Sequence, residues 1–158
     1  MQASRAIVLF AIAAAAQTAP PSPYIAKGAC PFECCTYRDW TALKPITLYD
    51  SPNGKTIGTL KQGQVVKALT GEIRSTPVRA TAAKDHPEAG IKAGDVFFVL
   101  HYVGEGVWSV WRAGHVAQFE MYTGSAPKTV WWVKVRTRAG MIGWAISDRD
   151  FGNQDACA

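Results

Sequence analysis

The stretch that decides the fold lies near the carboxyl end, where residues 130–146 read VWWVKVRTRAGMIGWAI. Residue types change with period two in the first half of this stretch, and that period is typical of a β-strand with two different faces. One face would carry Trp131, Val133 and Val135, and the other Trp132, Lys134 and Arg136. A Gly-containing turn at residues 138–140 then predicts that 142–146 returns antiparallel, with Trp144 in the returning strand. We expect Trp131 and Trp144 to lie in the core.

Working outward, the rest of the chain also reads as strands and turns. Residues 46–49 and 65–69 are short apolar strands, and Ser51-Pro52-Asn53-Gly54 has the proline position of a type I turn. Residues 96–103 and 107–112 form the clearest hairpin, joined by Gly104-Glu105-Gly106. By alternation, His101 would share a face of this hairpin with Phe97 and Val99. The sequence therefore predicts an all-β fold.

Composition supports this class. The chain has 158 residues, of which 48% are hydrophobic and 18% charged, enough for one domain with a real core. Its 14 Gly, 9 Pro, 6 Trp, 5 Tyr and 6 Phe suit turn-rich β-structure. The formal net charge of +5 is mild and predicts no nucleic-acid partner.

The amino-terminal residues predict export. Arg5 precedes eleven uncharged apolar residues, 6–16, which are too few to span a membrane and end in the small-x-small pattern Ala14-Ala15-Ala16. We therefore expect a signal peptide over 1–16 and a Pro-rich extended linker over 17–29. No later apolar run is long enough for a transmembrane segment, so the mature protein is predicted to act in the periplasm or outside the cell.

The cysteines are expected to form disulfides. Cys30, Cys34, Cys35 and Cys157 are an even set in an oxidising compartment, and four cysteines allow three connectivities. Pairing the neighbours Cys34 and Cys35 would close a strained ring, so it ranks last. In both other pairings Cys30 closes a small loop with one of these neighbours, and the second neighbour reaches Cys157. Either pairing staples the two ends of the domain together.

Two blocks of sequence resemble bacterial SH3 domains. The first is LYDSPNGKTIGTLKQGQVVKAL at 48–69, and the second combines Trp132, Lys134-Val135-Arg136, Gly140 and Gly143-Trp144. The resemblance implies an SH3-like, partly open barrel in a single domain over 30–158, with an inserted antiparallel hairpin within about 74–128. It also implies a targeting or binding module that engages peptidoglycan, especially its peptides.

Two groups of residues are candidate ligand-binding sites. Trp132 beside Lys134 and Arg136 would offer a flat apolar surface bordered by cations, suited to a peptide or sugar that carries carboxylates. The alternative is that the inserted hairpin or the cysteine segment 30–40 covers Trp132. Tyr102 and Trp108 form a second aromatic cluster, which either binds a ligand or packs across the hairpin.

No motif predicts an active site, a metal site or a cofactor. The three histidines lack metal-ligand spacing, and no phosphate loop or hydrolase signature is present. The first hypothesis is therefore an exported, non-enzymatic binding module for cell-wall peptide or glycan, or for an envelope protein. One alternative is a thiol-dependent hydrolase or disulfide oxidoreductase that uses Cys34 or Cys35. Another is a structural protein whose two-sided apolar strand 96–103 is buried by a partner.

Overall fold

The computed structural model describes residues 19–122 and 124–157, and the predicted signal peptide lies outside them. The described residues form twelve β-strands in two antiparallel sheets, together with one short 3-10 helix at Pro87–Ala89. The strands are β1 (Tyr24–Lys27), β2 (Asp39–Ala42), β3 (Ile46–Tyr49), β4 (Thr56–Leu60), β5 (Val65–Ser75), β6 (Val78–Thr81), β7 (Val96–Gly104), β8 (Val107–Arg112), β9 (His115–Glu120), β10 (Thr129–Thr137), β11 (Ile142–Ile146) and β12 (Phe151–Gly152). The all-β prediction is confirmed.

The first sheet is strongly curled into a half-barrel around β5. Its strands follow the order β12-β2-β5-β10-β11-β3-β4, and β1 pairs with β5 off this path. One edge of β5 pairs with β2 through residues 65–67 and with β1 through residues 72–75, while the other edge pairs with β10. A single strand of 11 residues therefore holds three others.

The concave face of this sheet contains the larger core. Trp40 at its centre is fully buried, and its indole N–H donates to the carbonyl of Thr36 at 2.9 Å. Alternate residues of the paired strands surround it, as period two requires. The buried members are Trp40, Ala42, Ile46, Leu48, Leu60, Val66, Ala68, Val133, Val135, Ala145 and Phe151.

The segment between the linker and β2 is anchored to this core through Tyr37. The ring of Tyr37 stacks on Trp40 with centroids 5.5 Å apart, and its hydroxyl donates to the carbonyl of Ala29. Gly71 of β5 faces the Tyr37 hydroxyl. An added Cβ at Gly71 would lie 2.8 Å from the carbonyl oxygen of Trp132 and closer still to that hydroxyl. Only glycine leaves enough space for this contact.

The inserted hairpin belongs to a second, four-stranded sheet of order β6-β7-β8-β9. One face of this sheet packs against the loop that precedes β7, and forms a separate small core of Ala82, Ile91, Phe97, Val99, Val110 and Phe119. A register shift between Val99 and His101 breaks the alternation along β7. The prediction that His101 shares a face with Phe97 and Val99 is therefore wrong, because the extra residue turns His101 to the opposite side.

Two turns differ from their predicted types because non-glycine residues adopt positive φ. Asn53 has φ +63°, and this value at the third position belongs to a type II turn rather than type I. Gly104 pairs with Val107, so the hairpin loop contains two residues instead of three. These are Glu105 at φ +48° and Gly106 at +80°, as a type I′ turn requires.

The end of the predicted linker is part of the fold. Tyr24–Lys27 pairs with residues 72–75 of β5, so this segment is a strand and not an extended tether. The reason is that β5, predicted from residues 65–69 to run towards Ile73, continues to Ser75. Its edge beyond β2 would otherwise lack hydrogen-bond partners, and β1 supplies them.

Two disulfides close the structure, as predicted. The bonds join Cys30 to Cys35 and Cys34 to Cys157, which selects one of the two pairings left open by the sequence. Backbone hydrogen bonds hold the same segments together: Ala156 N–H donates to Cys34 at 2.8 Å, and Thr36 N–H donates to Gln154 at 2.9 Å. Within the described residues, no helix has the length and apolar character needed to cross a bilayer.

Removing the long-range disulfide should be more destabilising than removing the short one. The Cys34–Cys157 bond spans 123 residues and the Cys30–Cys35 bond spans 5. Loop-closure entropy gives roughly 5 kcal/mol for the first and about 2 kcal/mol for the second. We expect the Cys34→Ser/Cys157→Ser variant to unfold at much lower urea concentration than Cys30→Ser/Cys35→Ser. Equal midpoints for the two variants would contradict this assignment of roles.

The Tyr37 hydroxyl should stabilise the fold only below strongly alkaline pH. Burial raises the pKa of Tyr37, so the folded state disfavours the phenolate. Its contribution is full below the ordinary pKa of about 10 and declines as pH rises from there through the folded-state pKa. At pH 8 we expect Tyr37→Phe to cost roughly 1 kcal/mol through loss of the hydrogen bond to Ala29. Urea unfolding between pH 8 and 11 should show this difference shrinking, and a constant difference would refute it.

Candidate binding site

The convex face of the half-barrel carries the first of the two groups of residues predicted to bind a ligand. Trp132, Lys134 and Arg136 share this face, as their alternation indicated. The indole of Trp132 is only 3% exposed, however, and the ring of Tyr49 meets it edge-on at 5.4 Å between centroids. Glu72 is its partner in the register of β5. Trp132 therefore does not offer the predicted flat surface, because a side chain from β3 packs on it.

Trp144 lies on the convex face, and its predicted core position is wrong. It is half-buried and opposite Lys134, whose Nζ lies 5.7 Å from the indole centroid in a cation–π arrangement. The neighbouring inward position belongs to Gly143, where a Cβ would already be 3.2 Å from the Cβ of Leu48. The concave side of β11 has room only for small residues, so the large ring faces outward. Trp131 does pack against the larger core, as predicted.

A group of cations extends this face toward the turn after β10. Arg136 is directly opposite Lys67 of β5, and Arg138 lies beside them. The side chains of these three residues, here called the basic cluster, line a cleft of about 270 Å³ together with Asp39 and Thr137. Three cations and one carboxylate leave a net charge of +2 in this cleft.

Among the described residues, three cations outside the basic cluster form salt bridges with carboxylates, and the cations of the basic cluster do not. Arg74 is 2.7 Å from Glu72, Arg112 is 2.7 Å from Asp95, and Lys44 is 2.8 Å from Asp150. In the described part of the chain, no carboxylate lies within 4.0 Å of a cationic nitrogen in the basic cluster. Like charges directly opposite each other in a sheet are destabilising. An anion bound between them would remove that cost.

Tyr102 and Trp108 pack against each other across the hairpin. Their rings meet edge-on with centroids 5.3 Å apart, and Trp108 also packs against the smaller core. Tyr102 stays 38% exposed, and its hydroxyl accepts a hydrogen bond from the N–H of Gly106 at 3.1 Å. Trp108 is thus placed for packing, whereas Tyr102 can also contact a ligand.

A second cleft lies next to Tyr102, between the segment 24–31 and the second sheet. This cleft, here called the slot, has a volume of about 490 Å³. His101, Ser109 and Gln118 line it from the second sheet, and the strand β1 lines it from the other side. Sequence reasoning missed the slot because it treated β1 as a linker. It also missed Lys67 and Arg138, since only the strand register places them beside Arg136.

The cysteines and His86 show no alternative site in the described part of the chain. All four cysteines are in disulfides, so neither Cys34 nor Cys35 is a free thiol. Cys34, Cys157 and Asp155 lie close enough to share a metal ion, but both sulfurs are already bonded to each other. His86 contacts Glu88 at 3.2 Å and packs on Phe119, within the smaller core.

No protein-family model, curated protein or solved structure matches the chain. The basic cluster and the slot are therefore the observations from which a function can be proposed.

Neutralising one cation of the basic cluster should stabilise the free protein. Arg136→Gln removes the like-charge pair with Lys67, so we expect a higher unfolding free energy at low ionic strength. The gain should vanish in concentrated salt, because the screening length falls from about 30 Å at 0.01 M to about 3 Å at 1 M. Urea unfolding at both salt concentrations measures this difference.

Lys55→Gln is the matched control. Lys55 is also exposed, but it sits in the turn after β3 and has no cation in register with it. Its replacement should not increase stability. If Arg136→Gln were less stable than the wild type at low salt, the charges on the convex face would not be in conflict.

Proposed function

We propose that the protein is an exported, non-enzymatic binding module of bacterial SH3 type that engages anionic peptide or glycan of the cell wall. The observation that carries this proposal is the basic cluster, in which Lys67 and Arg136 face each other while Asp39, opposite Lys67 on β2, forms no salt bridge with either cation. Two arginines also suit a carboxylate ligand, because the guanidinium group can donate two parallel hydrogen bonds to it.

The surroundings of the basic cluster favour an extended polymer over a small ion. Lys134 and the half-buried ring of Trp144 continue along the same face, and they add a cation and a flat apolar surface. Such a combination suits a sugar or peptide backbone that carries carboxylates at intervals. The cell wall offers this chemistry in the peptides of peptidoglycan and in its acidic glycans.

The covalent structure supports an extracytoplasmic site of action. Two disulfides persist where the environment is oxidising, and they are rare in reducing compartments. We place the protein in the periplasm or outside the cell, in agreement with the signal peptide expected over residues 1–16.

The thiol-enzyme alternative has weaker support. A thiol hydrolase requires a free thiolate near a base, and both Cys34 and Cys35 are in disulfides. The alternative that a partner buries the hairpin also has weaker support. Leu100 of β7 is fully buried, and Phe97 and Val99 lie in the smaller core, so the chain itself covers much of that apolar strand.

Sedimentation with purified, protein-free peptidoglycan tests the proposal. We expect the wild type to pellet with the polymer at low salt and to be released as salt rises, because the attraction is largely between exposed charges. Lys67→Gln/Arg136→Gln should weaken the affinity for the polymer about tenfold. The measurement is the bound fraction over a range of polymer and salt concentrations.

Lys55→Gln/Lys61→Gln makes the same change in net charge on the turns beside β4, and neither lysine lines the cleft of the basic cluster. This control should pellet like the wild type. Equal losses in the two double variants would mean that net charge alone drives binding. A wild type that stays in the supernatant at every salt concentration would refute the wall-binding function.

A further inference from the structure

We propose that the slot is a second binding site, which takes an extended peptide segment of a partner protein as an additional strand on β1. The slot lies apart from the basic cluster, and its lining includes no member of that cluster. The proposal is thus independent of cell-wall binding. It rests on the hydrogen bonds of β1, on the position of its edge, and on the side chains opposite.

The edge of β1 that faces away from β5 presents unused backbone groups. Gly28 N–H donates to the carbonyl of Gly71 at 2.7 Å, and the register continues with Ala26 opposite Ile73. In an antiparallel strand, the backbone N–H and C=O groups of successive residues point alternately toward and away from the paired strand. Ile25 and Lys27 therefore direct their N–H and C=O groups outward. Within residues 19–122 and 124–157, β1 pairs with no strand other than β5.

The position of this edge selects the kind of partner. The chain contacts the second sheet at the start of the segment 24–31 and again just after it: the ring of Tyr24 meets Trp111 at 6.4 Å, and a Cβ on Gly104 would lie 3.4 Å from the backbone N of Glu33. Between these contacts the edge faces a cleft rather than open solvent. A single extended chain can enter such a cleft and pair with this edge.

The wall opposite β1 is suited to polar side chains of an incoming peptide. His101 is opposite Ser109 in the strand register, and Ser109 is opposite Gln118, so the three form a polar row across β7, β8 and β9. His101 and Ser109 are buried. The Nδ1 of His101 is 3.0 Å from the carbonyl of Tyr102, which leaves Nε2 for another partner. Alternate side chains of an added strand can form hydrogen bonds with the polar groups of this row.

The positive charge of Lys27 favours a peptide with an acidic residue. Lys27 is exposed at the free edge, and no carboxylate of the described chain forms a salt bridge with it. A peptide with an acidic residue near Lys27 is therefore preferred. Surface pairs of this kind contribute little, so backbone hydrogen bonds should dominate the affinity.

The test uses a displayed library of linear, unstructured L-peptides, selected on the full disulfide-bonded protein. The affinity of selected peptides is then compared in two variants at one position. Lys27→Pro removes the outward N–H without removing a hydrogen bond to β5, and Lys27→Ala removes only the charge. We expect roughly fivefold to tenfold weaker binding for Lys27→Pro and less than about threefold for Lys27→Ala.

Two further measurements keep the proposal testable if Lys27→Pro folds poorly. Amide exchange by NMR should show Ile25 and Lys27 unprotected in the free protein and protected with peptide bound. Methylating alternate backbone nitrogens of a selected peptide should abolish binding in one of the two registers and leave it intact in the other.

Several outcomes would overturn the proposal. These are a library that yields no binder, peptides that bind Lys27→Pro as well as wild type, and binding that depends on Lys67 and Arg136 instead of the β1 edge. Self-association that Lys27→Pro abolishes would make a second copy the occupant of the slot. Cell-wall sedimentation is scored separately, so failure of either proposal leaves the other standing.

Discussion

The backbone ladder between β5 and β10 is the constraint on which the rest of the structure depends. Nine residue pairs join the two strands, from Thr129 opposite Ser75 to Thr137 opposite Val66. This register decides which side chains face the larger core, and it leaves the second edge of β5 open for β2 and β1. A slip of one residue would exchange the two faces of β10, placing Lys134 and Arg136 in the core. The apolar concave face makes such a slip very costly, so the register is firmly set.

Both candidate surfaces follow from that register. The pairing that buries Val133 and Val135 also brings Arg136 next to Lys67, so folding itself assembles the basic cluster. Its repulsion is a cost that the ladder and the core can offset. The same long β5 holds β1 in place and creates the free edge in the slot. The two surfaces therefore use different parts of one strand, residue 67 and residues 72–75, and a ligand on one need not displace a ligand on the other.

The sequence could predict local features and could not predict those that depend on register or on neighbouring space. Alternation in 130–136 predicted the two faces of β10. The even number of cysteines in a chain expected to be exported predicted the disulfides. Alternation could not show that Tyr49 packs on Trp132, since that contact joins strands far apart in sequence. The prediction for Trp144 was wrong because Leu48, on another strand, leaves little space beside Gly143 on the concave side of β11. His101 changed sides through a bulge, which period-two reasoning excludes by assumption.

The disulfides connect this architecture to binding. The Cys30–Cys35 loop and the Cys34–Cys157 bond fix the segment that follows β1, while Tyr37 ties the same segment to Trp40. Without these bonds, an edge strand of four residues would fray easily, and a ligand that pairs with it would first have to order it. Cross-linking orders the edge during folding, so less of the binding free energy is lost when a peptide docks. The two disulfides thus do more than stabilise the domain, since they also hold the β1 edge in place.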